Sequence, residues 1–314
     1  MRNPDGSWEK FDDYVLDFAL DRIRADHKVA LVTLTTIEGS SPRPLGAQMA
    51  VSQSGEWVGY LSGGCIERAV VAEALAALDE GRPRRVRYGR GSKYLDIQLP
   101  CGSAIELFFD VDLSERTLAA VDSRLARRQP ASMRIGGASA SSDGPAVRRY
   151  RPRRRLIVAG IGPGAVQLAR LAHCSGFATV LQSPDESTRA AVSGYGIETV
   201  AIEPGTSFPG FAADAWTAIV FMFHDHEWEK ELIPAALRTD AFYIGAMGSR
   251  RTHRQRLEML EAQGMDEAAR ARIRGPAGVY AGVKSASDVA ISILAEIVQV
   301  EHALGAPLIE AGDT

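Results

Sequence analysis

Apolar and polar positions recur along this chain with two periods, and the way those periods are mixed changes near its middle. Upstream, "VALVTLTTIEG", "GAQMAVSQSGEWVGYLSGG" and "KYLDIQLPCGSAIELFFDVD" carry β-branched residues in partial alternation broken by Gly and Pro, which predicts strands. Among them Ile66, Val70, Val71, Ala74, Leu75 and Leu78 fall at helical spacing. Glu67, Arg68, Glu73 and Asp79 occupy the rest of that barrel. One amphipathic helix set among strands predicts an α+β first domain over residues 1–133.

Downstream, short apolar runs ("RLIVAG", "FATVLQS", "ETVAIE", "AWTAIVFMF", "AFYIGAMG") are separated by helical stretches such as "AVQLARLAHC" and "KELIPAALR". Strands alternating with helices predict a parallel sheet, so residues 155–314 are expected to form an α/β, Rossmann-like second domain. Its last helix starts near Ser285, where "SASD" has the capping-box pattern, and carries Val289, Ile293, Leu294 and Ile297 inward. Between the two domains, "RIGGASASSDGPAVRRYRPRRR" passes from small turn-formers to a burst of arginines. That composition predicts a solvated connection over residues 134–154.

Composition narrows the function classes. The 314 residues carry a formal charge of −3, with 24 % charged and 46 % hydrophobic side chains, and lack the basic excess of a general nucleic-acid binder. The polar, acidic start "MRNPDGSWEKFDDY" does not read as a signal peptide and no apolar run approaches a membrane span, so a cytoplasmic protein without membrane contact is expected. Cys65, Cys101 and Cys174 are odd in number and form no CxxC, which favours reduced thiols over a disulfide framework.

Three stretches of the first domain carry candidate chemistry. In "LSGGCIERAVVAEAL", Gly63 and Gly64 precede Cys65 at an expected helix start, where backbone amides favour a thiolate or a bound anion. Glu67 opposes a thiolate there, and a cysteine also serves as a small packing residue. In "LPCGSAIELFF", Cys101 and Gly102 fall at an expected bend between strands. In "EGSSPRPLGAQM", Pro42 and Pro44 stiffen the chain around Arg43, which suits either a phosphate or a rigid surface turn. Cys174, in a helical run, reads as packing or a helix end.

Together these stretches resemble the first domain of the XdhC/CoxI family, accessory proteins of molybdenum hydroxylases such as xanthine dehydrogenase. The second half resembles that family's Rossmann-like domain through "VAGIGPGAVQLARLA", "FHDHEWEKELIPAAL", "YIGAMGSRR" and "SDVAISILAEIV". The resemblance implies a homodimeric chaperone that binds molybdenum cofactor (molybdopterin) and supports its sulfuration by a cysteine desulfurase. It then delivers the cofactor to the large subunit of an apo molybdenum hydroxylase. Arg43, Gly63, Gly64, Cys65, Glu67, Cys101 and Gly102 are the candidate cofactor residues of the first domain, with Cys65 and Cys101 as possible molybdenum or sulfur contacts. The second domain is expected to add phosphate contacts or a protein interface through Gly160, Gly162, Gly164, His224, Ser249 and Arg250. Gln48, Ser103, Gln182 and Tyr280 depart from the family pattern, respectively from a basic residue, a glycine, an acid and an aspartate.

The second domain offers a rival reading. Gly160, Gly162 and Ala165, with Gly164 beside them, form G-x-G-x-x-A between a strand and a helix, as an NAD(P)-binding turn does. Where a ribose-binding acid is wanted, however, the next strand ends in Gln182 and Ser183, with Asp185 arriving late. His224, Asp225 and His226 follow an expected strand, making His224 a candidate acid, base or ligand, and Ser249 with Arg250 would open a helix able to hold an anion. An NAD(P)-dependent oxidoreductase is thus the alternative to a cofactor chaperone. A non-catalytic scaffold joining desulfurase and hydroxylase is a third.

Overall fold

The computed structural model describes residues 6–92, 102–136, 146–203, 210–225, 227–280, 282–305 and 308–310. The chain divides into two compact units, Met1–Pro152 with Ala306–Thr314, and Arg153–Gly305.

In the first unit, α1 (Leu16–Arg24) leads into β1 (Val29–Glu38), β2 (Gln48–Ser52), β3 (Trp57–Gly59), α2 (Glu67–Glu80), β4 (Arg84–Gly89) and β5 (Ala104–Asp110). The five strands form one antiparallel sheet in the order β3-β2-β1-β5-β4. One face packs α2 through Ile66, Val70, Ala74, Ala77 and Leu78 over Val32, Leu34, Met49 and Phe109; the other packs α1 through Phe18 and Ala19. Helix α3 (Glu115–Ala126) and strands β6 (Ala131–Ile135) and β7 (Ala146–Tyr150) follow.

One expectation changes here. Residues 134–135 and 146–150, read from composition as a solvated connection, belong to β6 and β7, which pair antiparallel in a second sheet completed by β14 (Ile309–Glu310). Strand geometry puts alternate side chains on opposite faces, so Arg148 and Tyr150 of the arginine-rich stretch are buried while Arg149 is exposed. On α2, outside its apolar stripe, Glu67 and Glu73 are buried as well. Glu73 is paired with Arg84 of β4 at 3.0 Å.

The second unit comprises β8 (Arg155–Gly160), α4 (Pro163–Cys174), β9 (Ala178–Ser183), α5 (Glu186–Ala190), β10 (Glu198–Ala201) and β11 (Thr217–Met222). After these come α6 (Glu229–Leu237), β12 (Tyr243–Ala246), α7 (Arg250–Ala262), α8 (Glu267–Ala271), β13 (Ile273–Arg274) and α9 (Ala286–Ala303). All six strands are parallel, in the order β10-β9-β8-β11-β12-β13. This is the doubly wound order in which the first strand sits beside the fourth. One face is covered by α4 and α9, the other by α6 and α7. The Ser285 hydroxyl accepts from Asp288 N at 3.1 Å, capping α9 as its sequence predicts.

Candidate functional site

Strand direction gathers the three glycine-bearing stretches of the first unit. In register, Glu38 at the end of β1 lies opposite Ala104 at the start of β5, which also faces Gly89 at the end of β4; Met49 near the start of β2 faces Gly59 at the end of β3. Neighbouring strands are antiparallel, so the connections 39–47, 60–66 and 90–103 all leave the same end of the sheet.

The connection 60–66 is built around a buried carboxylate. Glu67, 3 % exposed, accepts from Ser62 N at 2.8 Å, from Leu61 N and Ile66 N at 3.2 Å each, and from the Ser62 hydroxyl. Ser62 Oγ in turn accepts from Cys65 N at 3.1 Å. A carboxylate has about four lone-pair sites, so these donors draw the loop tightly over it and leave its tip facing outward. Gly63, Gly64 and Cys65 are exposed. Gly64 adopts φ +102°, and a Cβ added at either glycine would meet no atom within 4 Å. Helix α2 starts at Glu67, so Cys65 stands two residues ahead of it, outside the first turn.

Arg43 projects from the connection 39–47. Its guanidinium lies 4.0 Å from the centroid of the Tyr60 ring, donates to the Tyr60 hydroxyl at 2.9 Å and pairs with Asp13. Arg43 Nε is buried with no partner. The same connection is gripped from beneath by Arg148, whose Nε donates to the Gly46 carbonyl at 2.7 Å and whose guanidinium stacks 4.7 Å from the Tyr150 ring. Burial pulls the affinity of Arg148 for its proton down, while Tyr150, Tyr14 and Asp13 oppose that shift. A methyl group at Gly46 would fall 2.9 Å from Leu308 Cβ and 3.0 Å from Ile309 Cγ1, so β14 also presses on this loop.

The third stretch enters at the same sheet end. Gly102 is exposed at φ +63° with open space where a Cβ would be; Ser103 is buried, and its Cβ is 3.0 Å from the Cβ position of Gly39. Cys101 lies outside the described residues. Gln48 is buried, donating to Thr33 Oγ1 at 2.9 Å, so it faces the interior of the unit rather than its rim.

The glycines of the second unit behave differently. A Cβ at Gly160 would lie 2.5 Å from Met222 Cβ and 2.6 Å from its carbonyl oxygen, and one at Gly164 would lie 2.9 Å from Met222 Cε. Both glycines make room for Met222, which is 1 % exposed. Gly162, at φ +85°, faces open space, but its N–H donates to Thr188 Oγ1 at 2.9 Å. The Thr188 hydroxyl donates to Asp185, whose carboxylate also accepts from Ser187 and from Thr188 N at 2.7 Å. These bonds hold the Asp185 carboxyl down at about 2. Proline at 163 supplies no amide, and Gln182, at the end of β9, is buried with its Oε1 lacking a partner.

Other candidates stand on loops at the carboxyl ends of the parallel strands. His224 and Asp225 are exposed after β11, Asp225 accepting from Glu227 N at 2.9 Å; His226 lies outside the described residues. Ser249 caps α7 through Thr252 N at 3.1 Å, and Arg250 is exposed. Sequence reasoning missed the ion pair behind these loops. Arg256 of α7 donates to Glu229 of α6 at 2.7 and 3.0 Å, both side chains 1 % exposed, and to the Met247 carbonyl at 3.1 Å. Charges 27 positions apart give no local signal of pairing. Among the described residues no group of three or more His, Cys, Asp or Glu side chains is placed to hold a metal ion, and no helix is long and apolar enough to cross a membrane.

Comparison with known proteins adds identities to this geometry. Residues 156–297 match the family model described as the XdhC Rossmann domain, and residues 22–89 the model of the XdhC and CoxI family. Molybdenum cofactor insertion chaperone PaoD of Escherichia coli is 34 % identical over 298 residues, covering 91 % of this chain and 87 % of its own. A Bacillus subtilis protein named as a probable xanthine dehydrogenase subunit is 23 % identical, covering 89 % of this chain and 96 % of its own. In structure, a Bacillus halodurans protein described as a xanthine dehydrogenase superposes with a TM-score of 0.76 at 22 % identity over 92 % of this chain and 96 % of that one, a likeness of fold.

Proposed function

The chain belongs to the XdhC and CoxI family, and from that premise we propose that it binds molybdenum cofactor and inserts it into a molybdenum hydroxylase of the xanthine dehydrogenase type. The observation that supports this reading is that the connections 39–47, 60–66 and 90–103 leave the same end of the first sheet. Open backbone at Gly63, Gly64 and Gly102, an exposed thiol at Cys65 and the guanidinium of Arg43 stand on those connections.

The cargo suits these groups. It is an anionic, phosphate-bearing pterin with soft sulfur ligands, for which amides, a guanidinium and thiolates are complementary donors and ligands. Cys65 is the contact proposed for sulfur or molybdenum, joined by Cys101 from the third connection. Arg43 holds phosphate, and Glu67 acts from below by shaping the loop it templates. The partners are the large subunit of the apo-hydroxylase and a cysteine desulfurase that supplies the terminal sulfur, and the acting form is a cytoplasmic homodimer.

The NAD(P)-dependent oxidoreductase has the doubly wound strand order behind it. Against it, the Gly162 amide is taken by Thr188, Met222 fills the space beneath Gly164, and Gln182 stands where a ribose acid is wanted. The test is to purify the protein from cells that make the cofactor and to quantify molybdenum and pterin per chain. Retention of both, lost in Cys65→Ala and in Cys101→Ala, is expected. Nicotinamide nucleotide retained in their place, with hydride transfer, would replace this reading by the oxidoreductase.

A further inference from the structure

Arg43 has a carboxylate already in place where an anionic ligand would sit. Its side chain is only 14 % exposed, whereas that of its partner Asp13 is 59 % exposed, so the acid is the outer member of the pair. One edge of the guanidinium is held by the Tyr60 hydroxyl and one face lies over the Tyr60 ring, while Nε is buried without a partner. The remaining edge is covered by Asp13.

Neighbours on both sides of Asp13 are tied down, one through its backbone and one through its side chain. The Lys10 carbonyl accepts from Gly59 N at 2.9 Å, and the Tyr14 hydroxyl donates to the Pro152 carbonyl at 2.9 Å. Rotation of the exposed Asp13 side chain is the simplest movement that would release Arg43. A carboxylate and a phosphate monoester offer a guanidinium the same pair of oxygens, the phosphate with more charge. The Arg43 guanidinium is largely buried while Asp13 is exposed, so an incoming dianion competes with the Asp13 carboxylate for the same guanidinium edge.

From this we infer that Arg43 and Tyr60 form a phosphate-monoester subsite which Asp13 occupies when no ligand is bound, acting as an internal stand-in that sets how tightly phosphate is held. The inference rests on the cofactor reading above and deepens it: the monoester belongs to the pterin, and Asp13 keeps free phosphate from filling the subsite between deliveries.

The experiment titrates the full-length chain with inorganic phosphate by calorimetry, for the wild type, Asp13→Asn, Arg43→Ala and the double variant, with circular dichroism reporting folding. Asp13→Asn is expected to bind phosphate about tenfold more tightly than the wild type. Arg43→Ala and the double variant are expected to bind weakly and equally. No gain in Asp13→Asn, or a gain that survives in the double variant, overturns the inference. The two readings fail separately. Wild-type protein that retains molybdenum and pterin while Asp13→Asn shows no gain removes only the role of Asp13. A gain through Arg43 in a protein that never retains the cofactor keeps the phosphate subsite and removes the cofactor.

Discussion

Two glycine-rich turns, each running from a strand into a helix, look alike in sequence and differ in what surrounds their glycines. In "SGGC" the glycines border empty space, and the polar demands of the loop are met from below by Glu67. In "GIGPG" two of the glycines accommodate Met222, and the amide of the third is taken by Thr188. Glycine thus leaves open backbone in one unit and allows close packing in the other. What a Cβ would meet separates them; the motif does not.

The largest expected effect comes from adding that Cβ. Gly160→Ala forces carbon against the Met222 backbone and is expected to destabilise the protein by about 3 kcal/mol. Gly63→Ala should leave stability unchanged or raise it by up to about 1 kcal/mol through the unfolded chain. Chemical denaturation followed by tryptophan fluorescence compares the two, and equal losses would erase the distinction between the turns.

Next in size is the template beneath the first turn. Glu67→Gln sets an amide N–H₂ among donors and is expected to cost about 2 kcal/mol, with loss of any anion affinity of the loop. A stability change under about 0.5 kcal/mol in the same denaturation assay would show that the carboxylate does not shape the loop.

The smallest effect is a pH response confined to the second turn. The Asp185 carboxyl lies below its ordinary value of 3.8, so its contribution is complete above that pH and fades as pH falls through about 2. The Gly162 amide, held through Thr188, should report this in NMR as a chemical shift titrating near pH 2, with Gly64 flat over the same range. A midpoint near 3.8 would mean that the Asp185–Thr188–Gly162 chain does not persist in solution.

Local signals made much of the fold legible. The five runs that became β8 to β12, the Ser285 cap and the opening of α7 at Ser249 depend on neighbours within a few residues, and periodicity or capping chemistry reports them directly. The second sheet of the first unit escaped because a strand holding Arg148 and Arg149 reads by composition as solvated, and its third strand, β14, comes from a distant part of the chain. Glu67 and Glu73 escaped for a related reason. A polar residue on a helix reads as exposed unless its distant partner is known, and those partners are loop amides in one case and Arg84 in the other. At the candidate site, residue types pointed to Arg43, Gly63, Gly64 and Cys65, which the antiparallel register carries to one end of a sheet. Asp13, Tyr60 and Arg148 came into view only through folding, since none of them belongs to a recognisable motif.

The return of the chain to its first unit has a consequence for biosynthesis. Strand β14 is made after all of the second unit, yet it pairs with β7 and abuts Gly46 in the loop that carries Arg43. On the ribosome the opening half must therefore wait, one strand short, until residues 308–310 emerge, and the loop beside Arg43 gains its last neighbours only then. A nascent chain stalled ahead of that point would carry a complete Rossmann unit and an opening unit whose Arg43 loop still lacks its last neighbours.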